Sequence, residues 1–256
     1  VALPVQLAEF YIGRTGGKNA IDSFKTLRPG SQWPWVGCMG VAACFILLSF
    51  YSVVGGWVLN YVVHSFTGEI HAGADFEALF GATISSPAGS LFYQGLFMLL
   101  TIWVVQGGVS DGIEKANRYL MPGLFILFIV LAVRSLTLPG AMEGVSFLLK
   151  PDWSHLKPQT MLTALGQAFF ALSIGVSAMI TYASYLGKDQ DMFRSGNIIM
   201  WMNLLVSLLA GLVIFPAVFA FGFEPSQGPG LIFVVLPAVF MKMPLGQILF
   251  AVFMLL

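Results

Sequence analysis

The chain has 256 residues, 57% hydrophobic and 9% charged, with a mean hydropathy of +0.85. That composition excludes an ordinary soluble domain and points to a polytopic membrane protein. Basic and acidic side chains balance at 12 each, and with no basic patch nucleic acid is excluded as a partner.

A full crossing needs about 20 apolar residues. Val1–Ile12 reads as the end of a span, followed by a loop with Arg14, Lys18, Lys25 and Arg28. Uncharged runs long enough to cross lie at Val36–Val63, within Ala78–Ser110, at Pro158–Gly187 and at Ser195–Phe223. Tyr119–Val133, extended past Arg134, adds a fifth, and Arg134 is expected to snorkel outward to the interface. Met243–Leu256 reads as the first part of another span. The loops at Thr67–Pro87 and Gly140–Lys157 have room for short surface helices. Pro225–Met241 is apolar, but Gly228-Pro229-Gly230 opens it, Pro237 interrupts it and Lys242-Met243-Pro244 closes it. It is expected to form an external hairpin or a re-entrant cap.

Lys and Arg set the orientation. The Arg14 loop, Lys115 with Arg118, and Lys188 with Arg194 fall on one side; Arg134, Lys150, Lys157 and Lys242 fall on the other. The excess places the 14–35 loop in the cytoplasm. Cys38 and Cys44 open an apolar segment without CxxC spacing and read as buried thiols.

Gly166–Gly187 is the most informative stretch. It is apolar enough for lipid, yet Leu172-Ser173-Ile174-Gly175-Val176-Ser177 breaks it with small and polar residues. A helix interrupted in hydrocarbon leaves amides and carbonyls that need a ligand, water or protein partner, each costing several kcal/mol otherwise. The same small residues also suit a helix-packing face.

FFALSIG followed by ITYASYLGKDQD resembles the sixth membrane helix and following loop of the neurotransmitter:sodium symporters. So do LAEFYIGRTGG at 7–17, GIEKANRYLMP at 112–122, PDWSHL at 151–156 and GPGLIFVVLP at 228–237. The matches are collinear, cover nearly the whole chain, and look closest to the bacterial amino-acid branch. The resemblance implies an all-α membrane protein, part of an inverted-repeat transporter bundle whose discontinuous helix lies near 166–187. It makes residues 1–256 one transmembrane domain fragment, from the second helix to the start of the eighth. The first helix and the part of the eighth that supplies the second sodium site are expected outside it.

The resemblance implies roles for individual residues. Phe170 would be an aromatic lid, Ala171 and Ser173 would offer backbone groups to sodium or substrate, and Val176 would line an apolar pocket. Exposed carbonyls suit Na⁺, a hard cation that prefers oxygen. Leu47 would line the same pocket and Tyr51 would donate to a substrate carboxylate; an inter-helix aromatic contact would explain Tyr51 equally. Asn203 would bind sodium or make an inter-helix hydrogen bond. Gln167 and Ser207 match chloride-site positions, whereas Ala171 lacks the hydroxyl that relatives use for both ions. Glu9 is the one acidic residue inside an apolar segment and must be protonated, paired or bonded to free backbone groups. The resemblance has it accept from the broken helix's amides; a proton relay is the alternative. Ser184 and Tyr185 match the inner gate, or else mark a helix end reaching the cytoplasm.

The implied activity is sodium-coupled symport of a neutral, hydrophobic or aromatic L-amino acid in a bacterial inner membrane, with chloride as a further ion. Val176 is smaller than the Phe or Met frequent in relatives, which leaves room for a large apolar substrate, although Leu47 is larger than the usual Val. The alternative is a degenerate relative that binds amino acid without moving it. No catalytic triad, nucleotide loop or metal motif is present, so an enzyme is not expected.

Overall fold

The computed structural model describes residues 1–187, 189–223 and 230–256, and the side chains of these except at 109–111, 155, 230 and 231. Every regular element among the described residues is helical. In chain order they are α1 (Ala2–Gly16), α2 (Ala20–Leu27), α3 (Pro34–Thr67), α4 (Phe76–Ser85), α5 (Pro87–Gln106), a π-type turn (Val109–Glu114) and α6 (Lys115–Leu136). Then follow α7 (Ala141–Leu149), a 3₁₀ turn (Trp153–His155), α8 (Pro158–Ala171), α9 (Ala178–Ala183), α10 (Met192–Phe221), α11 (Gly230–Phe240) and α12 (Gly246–Leu255). Among the described residues four helices are long and apolar enough to cross a membrane: Pro34–Thr67, Pro87–Gln106, Gly112–Leu136 and Met192–Phe221.

Local chemistry sets the boundaries. Gly17, at φ 59°, ends α1, and its N–H returns to the Gly13 carbonyl. Asp75 and Ser86 accept from Ala78 N and Gly89 N at the starts of α4 and α5. Proline opens α5 and α8, where its missing N–H costs no helical bond.

The helix α2 within the 14–35 loop was not among the sequence expectations, which read that loop for charge alone. Asn19 caps it by accepting from Asp22 N and donating to the Asp22 carboxylate. That amide, with Lys25 beside it, holds the Asp22 carboxyl below its ordinary range. Ala20, Ser23 and Phe24 form its buried face, at the i, i+3, i+4 spacing of an amphipathic helix.

The chain divides into two compact units, Val1–Ser49 with Asp152–Val206, and Phe50–Pro151 with Ser207–Leu256. In the first, the buried face of α1 is Gln6, Glu9, Phe10, Gly13 and Gly16, and α1 packs along α9 and α2. Close approach needs glycine there: a Cβ on Gly13 would lie 2.1 Å from the Ile180 carbonyl oxygen.

In the second unit, Tyr61, Leu131, Val213, Phe233, Phe240 and Phe250 are buried together. Phe233 stacks on Phe80 with centroids 5.2 Å apart. Ser135 Oγ donates to the Val213 carbonyl at 2.7 Å, and Gln247 Nε2 to the Ser65 carbonyl at 2.6 Å. Arg134 is half-buried and donates to Thr137 Oγ1 and to the Lys242 carbonyl.

In 225–241, expected to form an external hairpin or a re-entrant cap, the described part is helical. Gly230–Phe240 is one helix that continues through Pro237, and Phe233–Leu236, Val239 and Phe240 are buried. At 11 residues it is too short to cross. It packs on α4, α6 and α12 as a core element. Residues 224–229, including Gly228-Pro229, and Lys188 lie outside the described residues.

Candidate functional site

The expected interruption between α8 and α9 is present, and the backbone shows how it is made. Leu172 ends α8 and Ser173 takes a left-handed conformation at φ 53°. Ser173 N then bonds the Phe170 carbonyl and Ile174 N the Phe169 carbonyl, at 3.0 and 2.9 Å. This is a Schellman termination with serine where glycine is usual. Gly175 (φ 85°) and Ser177 (φ 62°) are also left-handed, and Ser177 precedes α9. Three positive φ angles within five residues stop any helix from continuing.

Flanking helices partner two of the backbone groups this exposes. Glu9 Oε1, from α1, accepts from Gly175 N at 2.7 Å. Cys44 Sγ, from α3, donates to the Val176 carbonyl at 2.9 Å. Gly37, Gly40 and Cys44 share one face of α3. A Cβ on Gly40 would lie 2.0 Å from Ser177 Oγ, so α3 approaches the break only because that side chain is absent. Within α9, Thr181 Oγ1 donates to the Ser177 carbonyl at 3.0 Å. The Ala171 and Ser173 carbonyls accept no loop backbone hydrogen bond among the described residues, which leaves oxygens of the kind a hard cation takes.

Glu9 is buried, Ser173 and Val176 are half-buried, and Ala171 is exposed. Phe170 is 50% exposed. Leu47 is half-buried on α3, and Gln167 is exposed on α8. Asn203 is half-buried on α10. Ser184 and Tyr185 lie in the turn after α9, where Ser184 Oγ donates to the Thr181 carbonyl at 2.7 Å. Tyr51 and Ser207 belong to the second unit; the Tyr51 ring meets Phe50 edge-on at 5.8 Å.

Both cysteines are half-buried, a correction to their reading as buried thiols, and Cys44 is engaged by the break. Sequence reasoning missed that engagement, because the partners are 132 positions apart. The available signal was the Gly37, Gly40, Cys44 stripe. It also missed Gln6, which is fully buried and whose amide oxygen and nitrogen have no partner among the described residues.

Comparison with known proteins converges on one family. The sequence model of the Sodium:neurotransmitter symporter family matches residues 82–256. The uncharacterized sodium-dependent transporter YhdH of Bacillus subtilis (strain 168) is 52% identical over 253 residues, covering 98% of this chain and 56% of YhdH. An uncharacterized sodium-dependent transporter of Haemophilus influenzae is 37% identical over 265 residues, covering 99% of this chain and 58% of the relative. The crystal structure of MhsT in complex with L-phenylalanine superposes with a TM-score of 0.93 at 47% identity, covering 99% of this chain and 58% of that one. The chain therefore spans just over half the length of these relatives. They are transporters and not enzymes, and their family has the all-helical membrane fold expected from the sequence. Collinear motifs, a helix broken at Leu172–Ser177 and these likenesses agree: the chain belongs to the sodium:neurotransmitter symporter family.

Proposed function

We propose that the whole protein imports a neutral, hydrophobic or aromatic L-amino acid together with Na⁺ by alternating access, in a bacterial inner membrane with the 14–35 loop cytoplasmic. The observation that carries this reading is the break after Ala171, held by Glu9 and Cys44 with carbonyls left over. The likeness to a structure complexed with L-phenylalanine supports the substrate class. Phe170, Ala171, Ser173, Val176 and Leu47 are assigned to the substrate, and Tyr51 to its carboxylate. Asn203 and the Ala171 carbonyl are assigned to sodium, Ser184 and Tyr185 to the inner gate. Glu9 supports the break. Sodium and substrate binding beside one another favour each other's binding, which is reciprocal coupling.

Uptake of labelled L-phenylalanine into vesicles containing the whole protein tests this. Uptake is expected with an inward Na⁺ gradient and not with K⁺ in its place. Leucine, tryptophan and tyrosine are expected to compete better than glycine or alanine; the reverse order rejects the pocket assignment. Sodium-dependent binding without uptake establishes a binding-only relative instead. Chloride is assigned to Gln167 and Ser207, and unchanged uptake after replacing chloride with gluconate rejects that role.

A further inference from the structure

We propose that Cys44 is a positioning residue, whose thiol holds the Val176 carbonyl and so fixes the spacing between Val176 and Leu47. The break presents two adjacent residues with opposite needs, the Gly175 N–H and the Val176 carbonyl. Glu9 from α1 supplies an acceptor to the first at 2.7 Å, and Cys44 from α3 supplies a donor to the second at 2.9 Å. Gly40 brings α3 close enough for this reach, since any Cβ there would collide with Ser177 Oγ. Ser177 itself is buried, so the second half of the break is seated on α3. Leu47 follows Cys44 by three residues and lies on a neighbouring strip of the same helix surface. A bond from Cys44 to Val176 therefore ties the two apolar side chains assigned to the substrate into one register.

Sulfur suits this position. A serine hydroxyl in a helix bonds readily to the carbonyl four residues back, here Gly40, and is partly withdrawn from any other acceptor. The longer, weaker thiol donor has less tendency to do so and reaches across to the neighbouring segment. The bond concerns the structure alone; its effect on the pocket rests on the amino-acid reading above.

Two substitutions separate hydrogen bonding from packing. Cys44→Ala and Cys44→Ser lose nearly the same volume, but only Cys44→Ser keeps a donor. In the whole protein, sodium-dependent binding of labelled L-phenylalanine is expected to weaken about tenfold in Cys44→Ala, and to stay within about threefold of wild type in Cys44→Ser. The infrared S–H stretch, isolated as the difference between wild type and Cys44→Ser, is expected at lower frequency than that of a thiol in apolar solvent. An S–H band at the unbonded position overturns the proposal. So does wild-type binding by Cys44→Ala, or equal loss in both variants. If the wild type binds no L-phenylalanine, the functional reading fails, while the S–H band still decides whether the bond exists.

Discussion

Glu9 shows how one side chain makes an interrupted helix tolerable in lipid. An amide without a partner in hydrocarbon costs several kcal/mol, and Glu9 Oε1 removes that cost for Gly175. Glu9→Ala removes the side-chain acceptor of that amide, and is expected to cost about 1–3 kcal/mol. Glu9→Gln keeps a carbonyl oxygen that can accept from Gly175 N but replaces the second oxygen with an NH₂ donor, so it retains the bond only in part. Thermal unfolding of the detergent-solubilised whole protein is therefore expected to rank wild type above Gln above Ala; equal stability of Ala and wild type would remove Glu9 from the break. The position of the break was legible because serines and a glycine interrupt an apolar run. Its construction was not, since a serine at φ 53° occupies the place where pattern reading looks for glycine. The thiol that meets Val176 was equally hidden, because nothing local to Cys44 points across 132 positions.

At the scale of elements, the apolar runs gave the long helices, and what remained illegible was the short ones. The α2 helix hides in a charged loop, announced only by Asn19 three residues before Asp22 and by the Ala20, Ser23, Phe24 face. Pro237 reads as a breaker, but α11 carries it inside the second unit's aromatic core, where packing overrides propensity. Glycine positions divide in the same way, by what lies opposite them. Gly13 faces the Ile180 carbonyl so closely that any Cβ would stand 2.1 Å from it. Gly13→Val must push α1 away from α9, and is expected to lower the melting temperature and abolish sodium-dependent binding. Gly81, inside α4, has nothing within 4 Å of a built Cβ. Gly81→Ala is expected to be neutral or to stabilise by up to about 1 kcal/mol, since alanine loses less backbone freedom in a helix. A melting curve for each variant decides; a tolerated Gly13→Val would contradict the close contact of α1 with α9.

At the scale of the whole molecule, the break must also leave the chain able to cross the bilayer. With 14 residues in α8 and 6 in α9, the two helical parts supply about 30 Å of rise, which matches the hydrocarbon core. Beyond α9, Arg14 Nη1, in the last turn of α1, donates to the Gln190 carbonyl, tying the end of α1 to the loop after α9. Lys18, Lys25 and Arg28 follow Arg14 between the end of α1 and the start of α3, and Arg194 lies in the first turn of α10; on their excess of positive charge rests the proposed cytoplasmic placement of the 14–35 loop. Under the same proposal Lys157, just before α8, lies on the opposite face. Lys25 and Lys157 are both exposed and serve as reporters of that arrangement. With Cys38 and Cys44 as background controls, a membrane-impermeant thiol reagent added outside intact cells is expected to label Lys157→Cys and to spare Lys25→Cys. Opening the cells is expected to make Lys25→Cys reactive. Labelling of both from outside would mean that α8 and α9 together do not traverse the membrane, and the break would then lie at a surface, where water partners its amides and Glu9 has nothing to protect.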